Sequence, residues 1–118
     1  MLDTPIAVLG LGYVGLPLAV GLARSGCEVI GFDVNDRLVA QLTQGISHVQ
    51  DVPSEDLATP SLSFTASPTD LSRARAFIIC VPTPLAASGF PDLTYVERAG
   101  QAIAPHLVPG ALVILEST

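Results

Sequence analysis

Basic charge is what this chain has least of. Its 118 residues carry five Lys and Arg against eleven Asp and Glu, a formal charge of −6. So few cations cannot build a surface that tracks a phosphate backbone, which excludes a nucleic-acid partner. A small anionic ligand is not excluded, because backbone N–H groups and a helix N-terminus attract phosphate without basic side chains. Charge of either sign is sparse, at 14% of residues against 49% hydrophobic, and that balance excludes a disordered chain. Long apolar runs are missing too. Gly10, Gly12 and Gly15 break up the N-terminal one, which also lacks a basic flank, so neither a membrane span nor a secretory signal is expected. Cytoplasmic character follows. The two cysteines, Cys27 and Cys80, have no metal-ligand spacing, and His48 and His106 stand apart from them. No metal site is therefore expected and no disulfide is suggested. Cys80 lies within Phe77-Ile78-Ile79-Cys80-Val81, where an inert buried thiol is expected. The length suits one domain with a real core and is too short for two.

What is present begins with Gly10-Leu11-Gly12-Tyr13-Val14-Gly15. It follows the apolar run Ile6–Leu9 and opens into Leu16-Pro17-Leu18-Ala19-Val20, a helix start. G-x-G-x-x-G between a strand and a helix is the dinucleotide-binding fingerprint. Gly10 allows the tight turn, Gly12 lets a pyrophosphate approach the backbone, and Gly15 lets helix and strand pack closely. A plain strand–helix corner is the competing reading of these six residues, and the rest of the chain decides between them.

Arg24-Ser25-Gly26 supplies a helix stop, a cation in the last turn and then a glycine. Glu28–Phe32 reads as a second strand ending at Asp33, which lies 18 residues beyond Gly15. An acid about 20 residues past the glycines is the one that takes ribose hydroxyls. Asn35 caps a helix with Leu38, Val39, Leu42 and Ile46 on its apolar stripe and Arg37 in its first turn. Between Gly45 and Ser61 the periodicity is lost, and a short helix over Glu55–Ala58 capped by Ser54 is expected. Leu62–Phe64 is a short third strand. Ser67, Pro68 and Asp70 mark a helix start at the N-cap, first and third positions.

Ala76–Val81 is apolar on both faces, as a central parallel strand should be, and runs into the stiff turn Pro82-Thr83-Pro84. A flexible loop over Ala86–Pro91 is followed by a helix capped by Asp92 or Thr94, the latter with Glu97 at capping-box spacing, and with Val96, Ala99 and Ile103 facing inward. Ala111–Leu115 reads as a fifth buried strand, and His106 falls at a surface position before it. Strands and helices alternate throughout. The expected fold is an α/β doubly wound parallel sheet of the Rossmann kind, strand order 3-2-1-4-5, as a single domain over residues 1–118.

All strands of such a sheet end on one rim, and ligands bind there at the point where the strand order reverses. Four strands deliver Gly10, Asp33, Thr83 and Glu116–Thr118 to that rim. This convergence makes the glycine loop a cofactor site. A carboxylate at Asp33 accepts from both ribose hydroxyls and repels a 2′-phosphate, which favours NAD over NADP; Arg37 tempers that preference, and flavin stays open.

The segments Gly10–Ala19, Gly31-Phe32-Asp33, Val81–Pro84, Pro91–Val96 and Glu116–Thr118 resemble, in order, the N-terminal domain of the nucleotide-sugar 6-dehydrogenases, the UDP-glucose/GDP-mannose dehydrogenase family. Val-Pro-Thr-Pro and Pro-Asp-Leu are more similar to the branch acting on UDP-N-acetylhexosamines. The resemblance implies NAD-dependent oxidation of a sugar C6 alcohol to a carboxylate, using two NAD molecules in turn and a cysteine that holds a thiohemiacetal and then a thioester. It implies that Gly10, Gly12, Tyr13, Val14 and Gly15 hold the pyrophosphate and that Asp33 and Arg37 hold the adenosine ribose. Thr83 and Glu116 would lie towards the reacting half of the cofactor, and Thr118 would help order a water or substrate oxygen at the reacting carbon. Members of the family are several times longer, with a helical dimerising segment and a second domain that carries the cysteine, a lysine and an asparagine. The resemblance therefore implies a fragment of a longer, homodimeric or higher-order enzyme with a UDP-sugar substrate, inactive by itself. A stand-alone nucleotide-binding or regulatory module is the competing reading.

Overall fold

The computed structural model of the chain describes residues 4–116. Five parallel strands form one sheet in the order β3-β2-β1-β4-β5. They are β1 (Ile6–Leu9), β2 (Val29–Phe32), β3 (Leu62–Thr65), β4 (Ala76–Ile79) and β5 (Leu112–Leu115), with three α-helices, α1 (Gly15–Arg24), α2 (Asp36–Thr43) and α3 (Thr94–Ile103). The register is even: Ile6 stands opposite Val29 on one side and Ala76 on the other. The expected fold class and strand order are both observed.

Alternation along β1 distributes the core between two layers. Val8 faces Leu11, Leu16, Ala19, Leu42 and Leu62 under α1 and α2. Ala7 and Leu9 face Leu71, Phe77, Ala99 and Ile103 under α3. Buried on both faces, β1 and β2 have no polar side chain to place, which is why their sequences are unbroken apolar runs. Both leading helices stop by the same device. Gly26 and Gly45 take φ of +102° and +84°. Cys27 N–H then donates back to Leu22 O, and Ile46 N–H to Gln41 O, consuming carbonyls that the helix end would leave open. Asn35 Oδ1 accepts from Leu38 N–H at 3.1 Å, the expected cap of α2.

Several expectations need correction. Ile46 lies beyond the end of α2 and is 51% exposed, because the stop at Gly45 turns the chain off the helix face. The segment Ser54–Ala58 is a 3-10 helix that begins at Ser54, whose Oγ accepts from Ser47 N–H instead of capping. Pro68–Arg73 is likewise a 3-10 helix; Ser67 holds the cap position without a side-chain bond, and the Asp70 carboxylate takes the Thr65 hydroxyl. Neither cap considered for α3 is used: Leu93 holds the cap position without a side-chain bond, Thr94 is the first helical residue, and Asp92, one residue before the cap, accepts from both the N–H and the hydroxyl of Thr94. The residues after Pro84 close into a small hairpin, with Leu85 bridged to Pro91 and Ala86 N–H bonded to Phe90 O at 2.7 Å. The largest departure is β5. Leu112, Val113, Ile114 and Leu115 are each 38–54% exposed, because β5 is an edge strand and no helix among the described residues covers its two faces closely.

Candidate cofactor site

The crossing of three strand ends fixes the site. Gly10 N–H donates to Phe32 O at 2.8 Å, and Cys80 N–H donates to Leu9 O at 2.7 Å, so β1 is tied at its exit to β2 and β4. Gly10 has φ +95°, and a Cβ there would lie 2.9 Å from the backbone carbonyl of Cys80. No other residue fits that turn. A Cβ on Gly15 would collide with the Gly10 carbonyl oxygen, so α1 starts hard against the end of β1. Gly12 is different. It is exposed, and a Cβ there would meet nothing within 4 Å. The molecule does not itself need glycine at this position, and the space in front of it is open.

The start of α1 suits an anion. No side chain caps it, its first turn carries no acid, and the N–H groups of Gly12, Tyr13 and Val14 have no acceptor among the described residues. They supply what phosphate oxygens require, at the positive end of the helix dipole. Asp33 follows β2 and holds both flanking turns. Its Oδ2 accepts from Leu11 N–H at 2.9 Å and its Oδ1 from Asn35 N–H at 3.0 Å. A carboxylate offers about four acceptor positions. Two backbone bonds leave two for a pair of ligand hydroxyls.

These residues line a cleft of about 940 Å³ that runs along the rim from the glycine loop, past Asp33, across the exit of β4 and on to one face of α3. Gly10, Gly12, Tyr13, Val14, Asp33 and Glu116 all face it. Gly15 lies just behind it and acts through packing. Arg37 is exposed on the first turn of α2 and does not line the cleft; Thr83 is half-buried on the turn after β4 and is also outside the lining. Thr118 lies outside the described residues.

The cleft also contains residues that periodicity did not single out as site residues. Tyr95, Arg98, Ala99 and Ala102 form its wall along α3, and Pro68 and Thr69 close its floor. Spacing of 95, 98, 99 and 102 does mark one helical face, but nothing local says that this face meets the rim. His106, expected at the surface, is half-buried and lines the cleft because the chain turns through a short 3-10 segment after α3. Cys80 is half-buried and on the cleft wall, not sealed in the core. Its thiol is nonetheless held protonated: burial, then the neighbouring Glu116 carboxylate, push its pKa from 9.0 up to about 11. A thiol so raised is a poor nucleophile at neutral pH. No three His, Cys, Asp or Glu side chains converge among the described residues in a manner suited to a metal ion.

An uncapped helix start facing open space at Gly12, and a carboxylate with two acceptor positions to spare, fit the phosphates and ribose of a dinucleotide. Similarity to known proteins agrees. The chain is 44% identical over 119 residues to the UDP-N-acetyl-D-glucosamine 6-dehydrogenase of Pseudomonas aeruginosa, covering 100% of this chain and 28% of that one. It is 44% identical over 115 residues to the UDP-N-acetyl-D-mannosamine dehydrogenase of Escherichia coli (strain K12), covering 96% of this chain and 27% of that one. Among solved structures, the UDP-D-ManNAc dehydrogenase of Pyrococcus horikoshii superposes with a TM-score of 0.89 at 42% identity, over 97% of this chain and 28% of the other. The chain thus spans little more than a quarter of the relatives it matches. Residues 4–118 match the profile of the UDP-glucose/GDP-mannose dehydrogenase family, NAD binding domain, and the chain belongs to that family.

Proposed function

We propose that this chain is the cofactor-holding part of a longer NAD-dependent UDP-sugar 6-dehydrogenase of the UDP-N-acetylhexosamine branch. Its glycine loop, Gly10, Gly12, Tyr13, Val14 and Gly15, presents backbone N–H groups to the pyrophosphate. Asp33 takes the adenosine ribose and Arg37 approaches the same end from the flank of the cleft. Thr83 and Glu116 sit towards the reacting half, and Thr118 orders a water or substrate oxygen beside the reacting carbon. NAD, when bound, supplies the hydride acceptor. The residues of this chain bind and orient it and keep one of its faces against the protein. The single observation that carries the reading is Asp33, whose carboxylate is already fixed by two backbone donors and points its remaining acceptors into the cleft.

Support for a nucleophile outside these residues comes from the two thiols. Cys80 is held protonated. Cys27 precedes β2 and therefore lies on the opposite rim from the cleft. The relatives' length accommodates a further domain, and we propose that the UDP-sugar, the thioester-forming cysteine and a homodimeric or larger assembly belong to that longer protein, working in the cytoplasm. Among the described residues no helix is long and apolar enough to cross a membrane.

Calorimetric titration tests the cofactor assignment. NAD should bind the chain, NADP should bind at least tenfold more weakly because Asp33 repels a 2′-phosphate, and Asp33→Ala should narrow that gap. Equal affinity for the two cofactors in the unaltered chain would sink the role given to Asp33. Production of NADH from a UDP-N-acetylhexosamine by the longer protein tests the activity.

A further inference from the structure

The cleft continues well beyond what phosphates and one ribose need. From Asp33 a bound dinucleotide can run two ways along the rim. Its pyrophosphate goes back to the start of α1, which leaves its adenine the part of the cleft lined by Pro68 and Thr69 and closed by the wall made by α3. That wall is unusual in composition. Ala99 and Ala102 are small and leave room for a flat ring, while Arg98, four residues before Ala102, lines the same cleft.

Arg98 is also differently placed from the other cations. Arg24 pairs with Asp56, Arg73 pairs with Glu28, and Arg75 donates to the carbonyls of Ser72 and Ala74. Arg37 is exposed and off the cleft. Arg98 lines the cleft, is exposed, and makes no ion pair or hydrogen bond among the described residues. The nearby Asp92 carboxylate attracts it through space but forms no hydrogen bond or close ion pair with it. In a chain of net charge −6, a guanidinium on the cleft wall with no close ion pair has its planar face and donors open to a ligand group.

We infer that Arg98 is the specificity residue for the adenine of the cofactor, its planar guanidinium stacking on the purine held over Ala99 and Ala102. A guanidinium over an aromatic face is favourable, and a lysine ammonium cannot reproduce the planar stack. The inference rests on the proposal that NAD binds this cleft.

Isothermal titration of NAD and of AMP into the unaltered chain, Arg98→Ala and Arg98→Lys tests it. AMP carries the base and ribose but not the reacting half. Arg98→Ala should weaken NAD and AMP by the same factor, about 2- to 30-fold, and Arg98→Lys should recover less than half of the loss on a logarithmic scale. Thermal midpoints without ligand should agree among the three proteins, since Arg98 is exposed. An unchanged affinity for NAD in Arg98→Ala overturns the inference. So does a loss for NAD with none for AMP, or full recovery by lysine, which would make the contact a charge on the phosphates. Failure of the unaltered chain to bind NAD at all removes the cofactor reading itself, a result distinguishable from each of these.

Discussion

Gly12 and Gly15 belong to one fingerprint yet answer to different demands. At Gly15 a methyl group would overlap the Gly10 carbonyl oxygen, whereas at Gly12 it would project into empty space. Gly15→Ala should therefore unfold or severely destabilise the chain, by more than about 3 kcal/mol in urea denaturation. Gly12→Ala should leave stability within about 0.5 kcal/mol of the parent, since nothing in the protein opposes it. Its affinity for NAD should nevertheless drop by tenfold or more, because the methyl group occupies the space the pyrophosphate needs. A Gly12→Ala protein that binds NAD normally would refute the placement of the phosphates. At Cys80 the folded thiol has its pKa raised to about 11 against 9.0 in a free side chain. The folded state therefore retains this proton to higher pH than the unfolded state does, and the stability that follows from it is complete below pH 9 and lost as pH rises from about 9 to about 11. Urea midpoints measured across that window should fall less steeply in Cys80→Ala than in the parent.

Helix α2 carries the Asn35 cap two residues after Asp33, so the element and the site share a turn. Asn35 N–H donates to Asp33 Oδ1 while Asn35 Oδ1 caps Leu38 N–H. Asn35→Ala removes only the second bond and should cost about 1 kcal/mol of stability, read as a lower urea midpoint with an unchanged slope. Because the backbone donor to Asp33 survives, NAD affinity should change less than twofold. The cap was legible in the sequence, since an Asn before a periodic run is a local signal. The cap of α3 was not legible: the sequence offers Asp92 or Thr94, and the position is held by Leu93 between them. Which residue falls at the cap depends on where the hairpin from Pro84 to Asp92 delivers the chain, and the closing bond from Asp92 N–H to Pro84 O sets that. Likewise the 3-10 character of Pro68–Arg73 reflects a short connection that must bring Leu71 into the core beside Phe77, a constraint with no trace in local propensity.

At the scale of the molecule, the sheet is asymmetric. On one flank β3 is shielded by α1 and α2; on the other β5 presents Leu112, Val113, Ile114 and Leu115 with no charge, proline or bulge among them. An apolar edge without such guards is a site of self-association. The 118-residue chain should show concentration-dependent growth in light scattering, and Ile114→Lys should reduce it while leaving NAD affinity intact, because Ile114 does not line the cleft. Equal scattering from both proteins would show that the edge is not the adhesive surface.

Alternating apolar runs and glycine stops, read in order, were enough to determine five parallel strands and the glycine loop, because each rests on signals within a few residues; the strand order followed from the alternation of strands and helices and the right-handedness of their crossovers. The same local reading brought Gly10, Asp33 and Glu116 to one rim, since parallel strands must end together. It could not tell which flank of the rim a side chain faces. Arg37 and Arg98 look alike in sequence, each an exposed cation near the start of a helix, and only the packing of α3 against β4 turns Arg98 into the cleft while α2 carries Arg37 away from it. Nor could hydrophobicity reveal the exposure of β5, because an apolar strand reads the same whether or not anything covers it. Burial is a property of what packs on a segment, and that is decided by tertiary structure alone.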